Sequence, residues 1–143
     1  MALDGEYDPQ NIFAKILRGE APCVRVFEDD AVLSFMDIFP QTRGHTLVLP
    51  KSPARNLFDV SEDALTGVIN RTRMIAAAVR EALQPDGVRI VQFNGAPAGQ
   101  TVFHLHFHIL PVFDGEDFGA HASGGPADAG ELEKLAERIR AAI

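Results

Sequence analysis

The spacing of apolar residues along the chain predicts three helices. Apolar positions recur every three or four residues just after Asn11 and stop at Gly19, which indicates a short amphipathic helix. The longest periodic stretch runs from Ser61 to Leu83, and its serine can cap free amides while the two acidic residues that follow suit the helix dipole. A final periodic run predicts a short C-terminal helix over residues 131–143.

Between these helices, short apolar runs bounded by turn residues predict strands. They cover approximately residues 24–27, 31–36, 45–49, 88–93 and 102–112. The order of helix, strands, long helix, strands and helix predicts an α+β fold with an antiparallel sheet. We expect residues 1–143 to form a single domain, with a loose leader over 1–10 and a glycine-rich surface loop over 114–130.

Charge and composition narrow the class of protein. Lysine and arginine total 13 and aspartate and glutamate total 20, which gives a net charge of −7 with histidine neutral. We expect no nucleic-acid partner and no membrane partner, because both recruit basic patches. The sequence has no signal-peptide pattern, and its single Cys23 cannot form an internal disulfide. These features predict a cytoplasmic protein.

Three of the five histidines stand at alternate positions in the last predicted strand: His104, His106 and His108. Side chains alternate between the two faces of a strand, so the three imidazoles are expected to share one face. The apolar residues between and around them would pack on the core side; these are Phe103, Leu105, Phe107 and Ile109. A strand merely exposed to solvent does not explain this alternation, which indicates a chemical role.

Two chemistries fit a row of imidazoles, metal binding and nucleophilic catalysis. On a strand, the outer two histidines would lie about 13 Å apart at a rise of about 3.3 Å per residue, so one ion cannot readily bind all three. The nearest following acid is Asp114, which is too distant for a cupin-like metal site. A neutral imidazole can instead attack phosphorus, and the glycine-containing loop over residues 94–101 offers neutral donors for phosphate oxygens. The residues therefore favour nucleophilic catalysis.

The histidine-containing stretch over residues 99–110, GQTVFHLHFHIL, resembles the signature of the histidine triad (HIT) superfamily of nucleotide hydrolases and transferases. The stretch over residues 35–51 and the opening helix agree with the same family, so the resemblance covers roughly residues 11–112. It implies a HIT-like fold with a sheet of about five strands, one long helix and two short ones. It also implies a homodimer whose two sheets join edge to edge.

The resemblance assigns a role to each histidine. His106 would attack the α-phosphorus of a nucleotide and form a transient nucleotidyl-histidine, while the backbone carbonyl of His104 would orient its ring. The residues implied to contact or flank the phosphate are His108, Gln100, Thr101 and Asn94, with Thr101 also assisting the leaving group. His45 matches a family histidine packed near the triad. From the residues alone, a purely structural role for His45 as a buried histidine fits equally well.

The same resemblance implies a nucleoside pocket. Asp37 would accept hydrogen bonds from the ribose hydroxyls, although a turn or helix-cap role fits its position equally well. The residues implied to enclose the base are Ile12, Phe13, Ile16, Phe35 and Ile38. By spacing alone, those in the opening helix are equally core residues.

The sequence departs from many bacterial relatives at a structural zinc site. Those relatives carry two cysteines in the opening helix and a histidine further along, where this chain has Asn11, Ala14 and Pro53. We therefore expect no structural zinc and no required cofactor, with magnesium only as a companion of a polyphosphate substrate.

The expected substrate is a purine nucleotide conjugate, either a nucleoside phosphoramidate, as in the Hint-like branch, or a dinucleoside polyphosphate. The alternative is a regulatory protein that binds nucleotides and hydrolyses them only incidentally. The motifs end near Phe113. Since the variable region beyond it shapes the leaving-group side in this family, the sequence leaves the leaving group open.

Overall fold

A five-stranded antiparallel sheet organises the computed structural model, which describes residues 3–116 and 125–143. The strands are β1 (Arg25–Glu28), β2 (Val32–Met36), β3 (Thr46–Pro50), β4 (Gly87–Val91) and β5 (Phe107–Val112). Their order across the sheet is β1-β2-β3-β5-β4, and every neighbouring pair is antiparallel. The predicted α+β class with an antiparallel sheet of about five strands is confirmed. The predicted glycine-rich loop falls partly on residues 117–124, which lie outside the described residues.

Three α-helices accompany the sheet in the described residues: α1 (Ile12–Leu17), α2 (Glu62–Leu83) and α3 (Ala129–Arg140). Each begins with a side chain that accepts a hydrogen bond from a free backbone amide of the first turn; these caps are Asn11, Ser61 and Asp128. The cap at residue 128 explains why α3 begins two residues before the predicted start. None of the described helices combines the length and apolar character needed to cross a membrane.

The two faces of the sheet are buried against different partners. Helix α2 packs on β2, β3 and β5, and helix α3 packs on β1 and β2, so both cover the same face and enclose the main core. The short helix α1 contributes to a second apolar cluster, which we call the minor core. Its buried members are Phe13, Leu33, Phe35, Leu47 and Leu49.

Strand β4 is the exposed edge of the sheet next to β5. Its residue Ile90 pairs with Ile109 of β5, which lies in the main core. Paired residues of an antiparallel ladder point to the same face, so Val88 and Ile90 lie on the face covered by the helices. They are nevertheless 36% and 48% exposed. An apolar strip therefore runs along this edge.

The histidine-rich strand is shorter than predicted. It begins at Phe107, so that only His108 of the three alternating histidines lies within it, while residues 102–106 form an irregular segment. The physical reason is an alternative backbone partner, since the amide of Leu105 donates to the carbonyl of Ala54 at 2.8 Å rather than to a neighbouring strand. The predicted alternation survives at Leu105, Phe107 and Ile109, which are all in the main core.

Two further expectations about this segment need correction. Phe103 is only partly buried and does not belong to the core; the guanidinium carbon of Arg55 lies 4.7 Å from its ring centroid. The three imidazoles are not an open face either, because His104, His106 and His108 are all buried. Burial of all three indicates an organised polar network rather than a solvated surface.

The N-terminal segment is attached to the domain from Leu3 onward, unlike the loose leader predicted; residues 1 and 2 lie outside the described residues. The backbone carbonyl of Leu3 accepts a hydrogen bond from the Asn56 side chain at 2.8 Å. Tyr7 lies 2.7 Å from a ring nitrogen of His104. The segment therefore passes over the histidine-containing part of the chain.

Candidate active site

His106 lies in the wall of a cavity of about 330 Å³, a volume in the range of small-molecule sites. The wall is mostly apolar, and it includes nine of the residues expected to bind or transform a substrate. These are Ile12, Phe13, Ile16, Phe35, Asp37, Ile38, Thr101, His106 and His108. The fold brings them together from α1, β2, the loop that follows β2, β5 and the segment before β5.

The proton on His106 can be assigned from its partner. Nδ1 of His106 lies 2.6 Å from the backbone carbonyl oxygen of His104. A carbonyl only accepts, so Nδ1 carries the hydrogen and donates. In the neutral ring the lone pair is then on Nε2, the nitrogen that can act as a nucleophile.

The ring of His104 is held from both sides and does not line the cavity. Nε2 lies 2.7 Å from the carbonyl oxygen of Pro50, so Nε2 donates and Nδ1 accepts from the hydroxyl of Tyr7. Burial lowers the pKa of His104, while the hydrogen bond to Pro50 and the charge of Asp59 oppose that change. Because the usual pKa of histidine is near 6.5, the ring is neutral at pH 7.

His45 and His108 form a buried pair across β3 and β5. Nε2 of His45 lies 2.9 Å from Nδ1 of His108, and the backbone amide of Gln41 donates to Nδ1 of His45 at 3.1 Å. With its Nδ1 accepting, neutral His45 has its hydrogen on Nε2 and donates to His108. The hydrogen of neutral His108 is then on Nε2, where it can serve as a donor to a phosphate oxygen.

Asp37 combines a local and a site contact. One carboxylate oxygen accepts from the amide of Phe39 at 2.8 Å, which stabilises the turn after β2. The other oxygen lies 3.4 Å from Nε2 of His45, and the residue also lines the cavity. From the sequence, a turn role and a role in the nucleoside pocket are alternatives for Asp37. In the structure Asp37 both stabilises the turn and lines the cavity.

Asp37, His45 and His108 also bring ligand-type atoms within 4.8 Å of one another, as a metal site would. The donor chemistry does not fit an ion bound at Nε2 of His45. Such an ion requires the hydrogen of the neutral ring to be on Nδ1, where it would face the amide hydrogen of Gln41. Absence of a resident metal stays a prediction, and this arrangement supports it.

Two residues have side chains that stabilise the loop around the site: Gln100, which is expected to contact phosphate, and Asn94, which is expected next to the phosphate site. The Gln100 side chain donates to the carbonyls of Arg55 and Val102 at 2.8 and 3.0 Å and accepts from the amide of Gly95. The Asn94 side-chain oxygen accepts from the amide of Leu57 at 2.9 Å. Neither side chain lines the cavity, so both shape the loop in this structure, and a contact of Gln100 with phosphate stays a prediction.

Several cavity residues were not identified from the sequence. Phe39 and Val102 extend the apolar wall beside residues that were identified, and proximity to those motifs was the available signal. Cys23 also lines the cavity, and burial raises the pKa of its thiol, so it is a wall residue rather than a thiolate nucleophile. No sequence signal indicates that Tyr7 contacts the site, because its partner His104 is 97 positions away in the sequence.

Comparisons with known proteins agree with this geometry. The model of the HIT domain family matches residues 18–115. A crystal structure of a Hit-like protein from Bartonella henselae, described as involved in cell-cycle regulation, is 48% identical, has a TM-score of 0.91, and the match covers 97% of this chain and 100% of that one. A hypothetical histidine triad nucleotide-binding protein from Sulfolobus tokodaii is 30% identical with a TM-score of 0.83, over 91% of this chain and 89% of that one.

One curated relative carries an enzymatic name. The adenylylsulfatase HINT3 of Arabidopsis thaliana is 36% identical over 100 residues, which are 70% of this chain and 51% of the plant protein. The chain thus matches about half of that relative.

Proposed function

The chain belongs to the HIT domain family, and from this premise we propose that it cleaves the α-phosphorus bond of a nucleotide conjugate through a covalent intermediate on His106. Family membership supports nucleotide binding and hydrolase activity in general. The specific support is the hydrogen bond from Nδ1 of His106 to the carbonyl of His104, because it leaves the lone pair on Nε2 in a residue that lines the cavity.

The proposed reaction has two displacements at phosphorus. In the first, Nε2 of His106 bonds to the α-phosphorus, and the bond from phosphorus to the leaving group breaks. The leaving group keeps the electron pair and, where it is an amine, takes a proton from solvent. In the second, water attacks the same phosphorus, loses a proton, and displaces the imidazole, which returns to its neutral form. The products are a nucleoside monophosphate and the free leaving group.

Neighbouring groups supply stabilisation for both steps. His108, with its hydrogen on Nε2, donates to a non-bridging phosphate oxygen, whose negative charge grows as the phosphorus is attacked. The exposed Thr101 in the cavity wall is placed to assist the leaving group. Since the chain carries a net charge of −7, these local donors must overcome unfavourable long-range electrostatics toward an anionic substrate.

The cavity supports a nucleoside as the bound part of the substrate. Its volume of about 330 Å³ and its apolar wall suit a purine base, with the Asp37 carboxylate accepting hydrogen bonds from the ribose hydroxyls. The leaving group is an amine in a phosphoramidate or a phosphate chain in a dinucleoside polyphosphate, and magnesium would accompany only the latter. The name of the plant relative adds adenylyl sulfate to the panel of substrates to be tested.

The covalent step is tested by trapping. We expect mild denaturation at alkaline pH to capture one nucleoside monophosphate per chain after incubation with an AMP phosphoramidate, and peptide mass spectrometry to locate it on His106. The phosphoramide linkage should be labile to acid. Turnover of phosphoramidate, dinucleoside polyphosphate and adenylyl sulfate measured side by side identifies the leaving group. Tight AMP binding without turnover of any of them would instead support a regulatory nucleotide-binding protein.

We also propose that two copies pair through the exposed edge strand β4. An uncovered edge exposes backbone groups that can form hydrogen bonds, and Val88 and Ile90 add an apolar strip beside it. In a second copy related by twofold symmetry, β4 would pair antiparallel with β4 of the first. This pairing would form the backbone hydrogen bonds of the edge and cover the apolar strip.

The dimer predicts a clear effect of charge at this edge. Ile90→Lys should shift the protein from an apparent mass near twice 15.5 kDa toward 15.5 kDa in light scattering after gel filtration, because two lysines would meet near the symmetry axis. Ile143→Lys is the control, since Ile143 is equally exposed at 47% but lies at the chain end. An unchanged dimer in the Ile90→Lys variant would place the interface elsewhere.

A further inference from the structure

Tyr7 connects the N-terminal segment with the histidine network. Its hydroxyl lies 2.7 Å from Nδ1 of His104, and the two rings are 5.6 Å apart in an edge-to-face arrangement. Tyr7 does not line the cavity, so it cannot touch a nucleotide bound there. Any influence on catalysis must pass through His104.

The hydrogen bonds around His104 define a continuous path from Tyr7 to the nucleophile. Nε2 of His104 is committed as donor to Pro50 at the end of β3, which leaves Nδ1 as an acceptor inside the protein. The Tyr7 hydroxyl satisfies that acceptor. The carbonyl of the same residue, His104, receives the hydrogen from Nδ1 of His106 at 2.6 Å.

We propose that Tyr7 is a positioning residue for the His106 nucleophile. Its hydroxyl holds the His104 ring in one tautomer and orientation, and through the His104 backbone it keeps the lone pair of His106 on Nε2. Without the hydroxyl, Nδ1 of the fully buried His104 ring is an unsatisfied acceptor, which favours rotation of the ring toward another donor. A His104 ring free to rotate no longer anchors the residue whose backbone carbonyl accepts from Nδ1 of His106, and this is the coupling that the proposal requires.

The inference rests on the proposed covalent function, but its test has a readout that does not. We expect Tyr7→Phe, which keeps the aromatic ring, to lower kcat about tenfold with an AMP phosphoramidate while KM changes less than twofold. In the free protein, nitrogen-15 NMR of the histidine rings should show single tautomers for His104 and His106 in the wild type. The variant should show a second state of the His104 ring and a loss of the pure Nδ1–H form of His106.

Arg18→Ala provides the matched control. Arg18 donates to the carbonyl of Pro9 at 2.7 Å and so attaches the same N-terminal segment without contacting any histidine. This variant removes one attachment of the segment, at Pro9, and retains the hydroxyl of Tyr7, so it should leave kcat and both tautomers unchanged.

The two proposals fail in different ways. Unchanged tautomers and unchanged kcat in Tyr7→Phe would overturn the positioning role, even if the wild type is an active hydrolase. A changed His106 tautomer in a protein that hydrolyses no nucleotide conjugate would support the positioning role and overturn the proposed function. Equal loss of kcat in Arg18→Ala, with tautomers unaltered in both variants, would assign the effect to attachment of the segment and overturn the proposal for Tyr7.

Discussion

Replacing His106 with alanine is expected to lower kcat for a nucleotide conjugate by roughly 10⁴-fold or more, the loss typical of removing a covalent nucleophile. Binding of a nucleoside monophosphate should weaken far less, because most of the cavity wall is unchanged and apolar. Steady-state kinetics on the phosphoramidate, together with calorimetric AMP binding, would measure the two effects separately.

His106→Asn distinguishes chemistry from packing. The asparagine amide can still donate to the carbonyl of His104, which preserves the hydrogen bond described for the native ring, but it has no nucleophilic nitrogen. We expect the same loss of kcat and the same absence of a trapped nucleotide as in the alanine variant. Turnover within tenfold of the wild type in either variant would exclude His106 as the nucleophile.

Gly44→Ala is expected to cost about 2–5 kcal/mol of unfolding free energy and to disturb the neighbouring His45. Gly44 has φ of +89°, a conformation that costs a side-chain-bearing residue about 1–2 kcal/mol. An added Cβ would also lie 2.4 Å from Cδ1 of Leu83 and 3.2 Å from Cγ of Pro111, which adds an overpacking cost of about 1–3 kcal/mol. Urea unfolding of the two proteins at equilibrium would measure the difference.

Gly19→Ala is a matched control for backbone strain. Gly19 has φ of +78°, but an added Cβ there meets no atom within 4 Å. Gly19→Ala should therefore lose only the backbone contribution of about 1–2 kcal/mol. Equal losses in the two variants would show that contact with Leu83 contributes nothing to the cost. A smaller loss of unfolding free energy from Gly44→Ala in a Leu83→Ala background than in the wild type would identify that contact directly.

The elements governed by local chemistry were predictable from the sequence. Ser61 begins α2 as a cap, and the periodic stretch ends at Leu83 as predicted, because both signals are contained in the helix itself. Four strands were located within two residues at each end for the same reason. Helix α3 begins two residues before the predicted start because the side chain of Asp128 caps it, and it ends at Arg140, three residues before the predicted end.

The start of the histidine-rich strand was not predictable in the same way. Alternation of apolar and polar residues correctly indicates which side chains enter the main core, but it does not determine where the backbone joins the sheet. That depends on a distant partner, since the amide of Leu105 reaches the loop after β3 at Ala54. An irregular segment with buried alternate residues therefore has the sequence pattern of a strand.

The candidate site was likewise predictable from the sequence only where its residues lie in short motifs. The resemblance to a family motif located the residues of the cavity wall, since their chemistry is carried by short contiguous stretches. It did not indicate that Gln100 is used to hold the loop, or that Tyr7 reaches His104, because both contacts depend on how separate segments meet. Such contacts follow from tertiary packing, which neither composition nor periodicity records.

The minor core limits which amino-acid substitutions this protein can accept without losing its cavity. Phe13, Phe35 and Leu47 belong both to that cluster and to the wall of the cavity. The cavity is therefore a part of the apolar interior that the chain leaves unfilled, and its lining lacks the dispersion contacts of close packing. A bulkier side chain there would supply those contacts permanently and raise thermal stability, but it would occupy the space of the ligand. Selection for heat resistance and selection for binding consequently oppose each other in this one region.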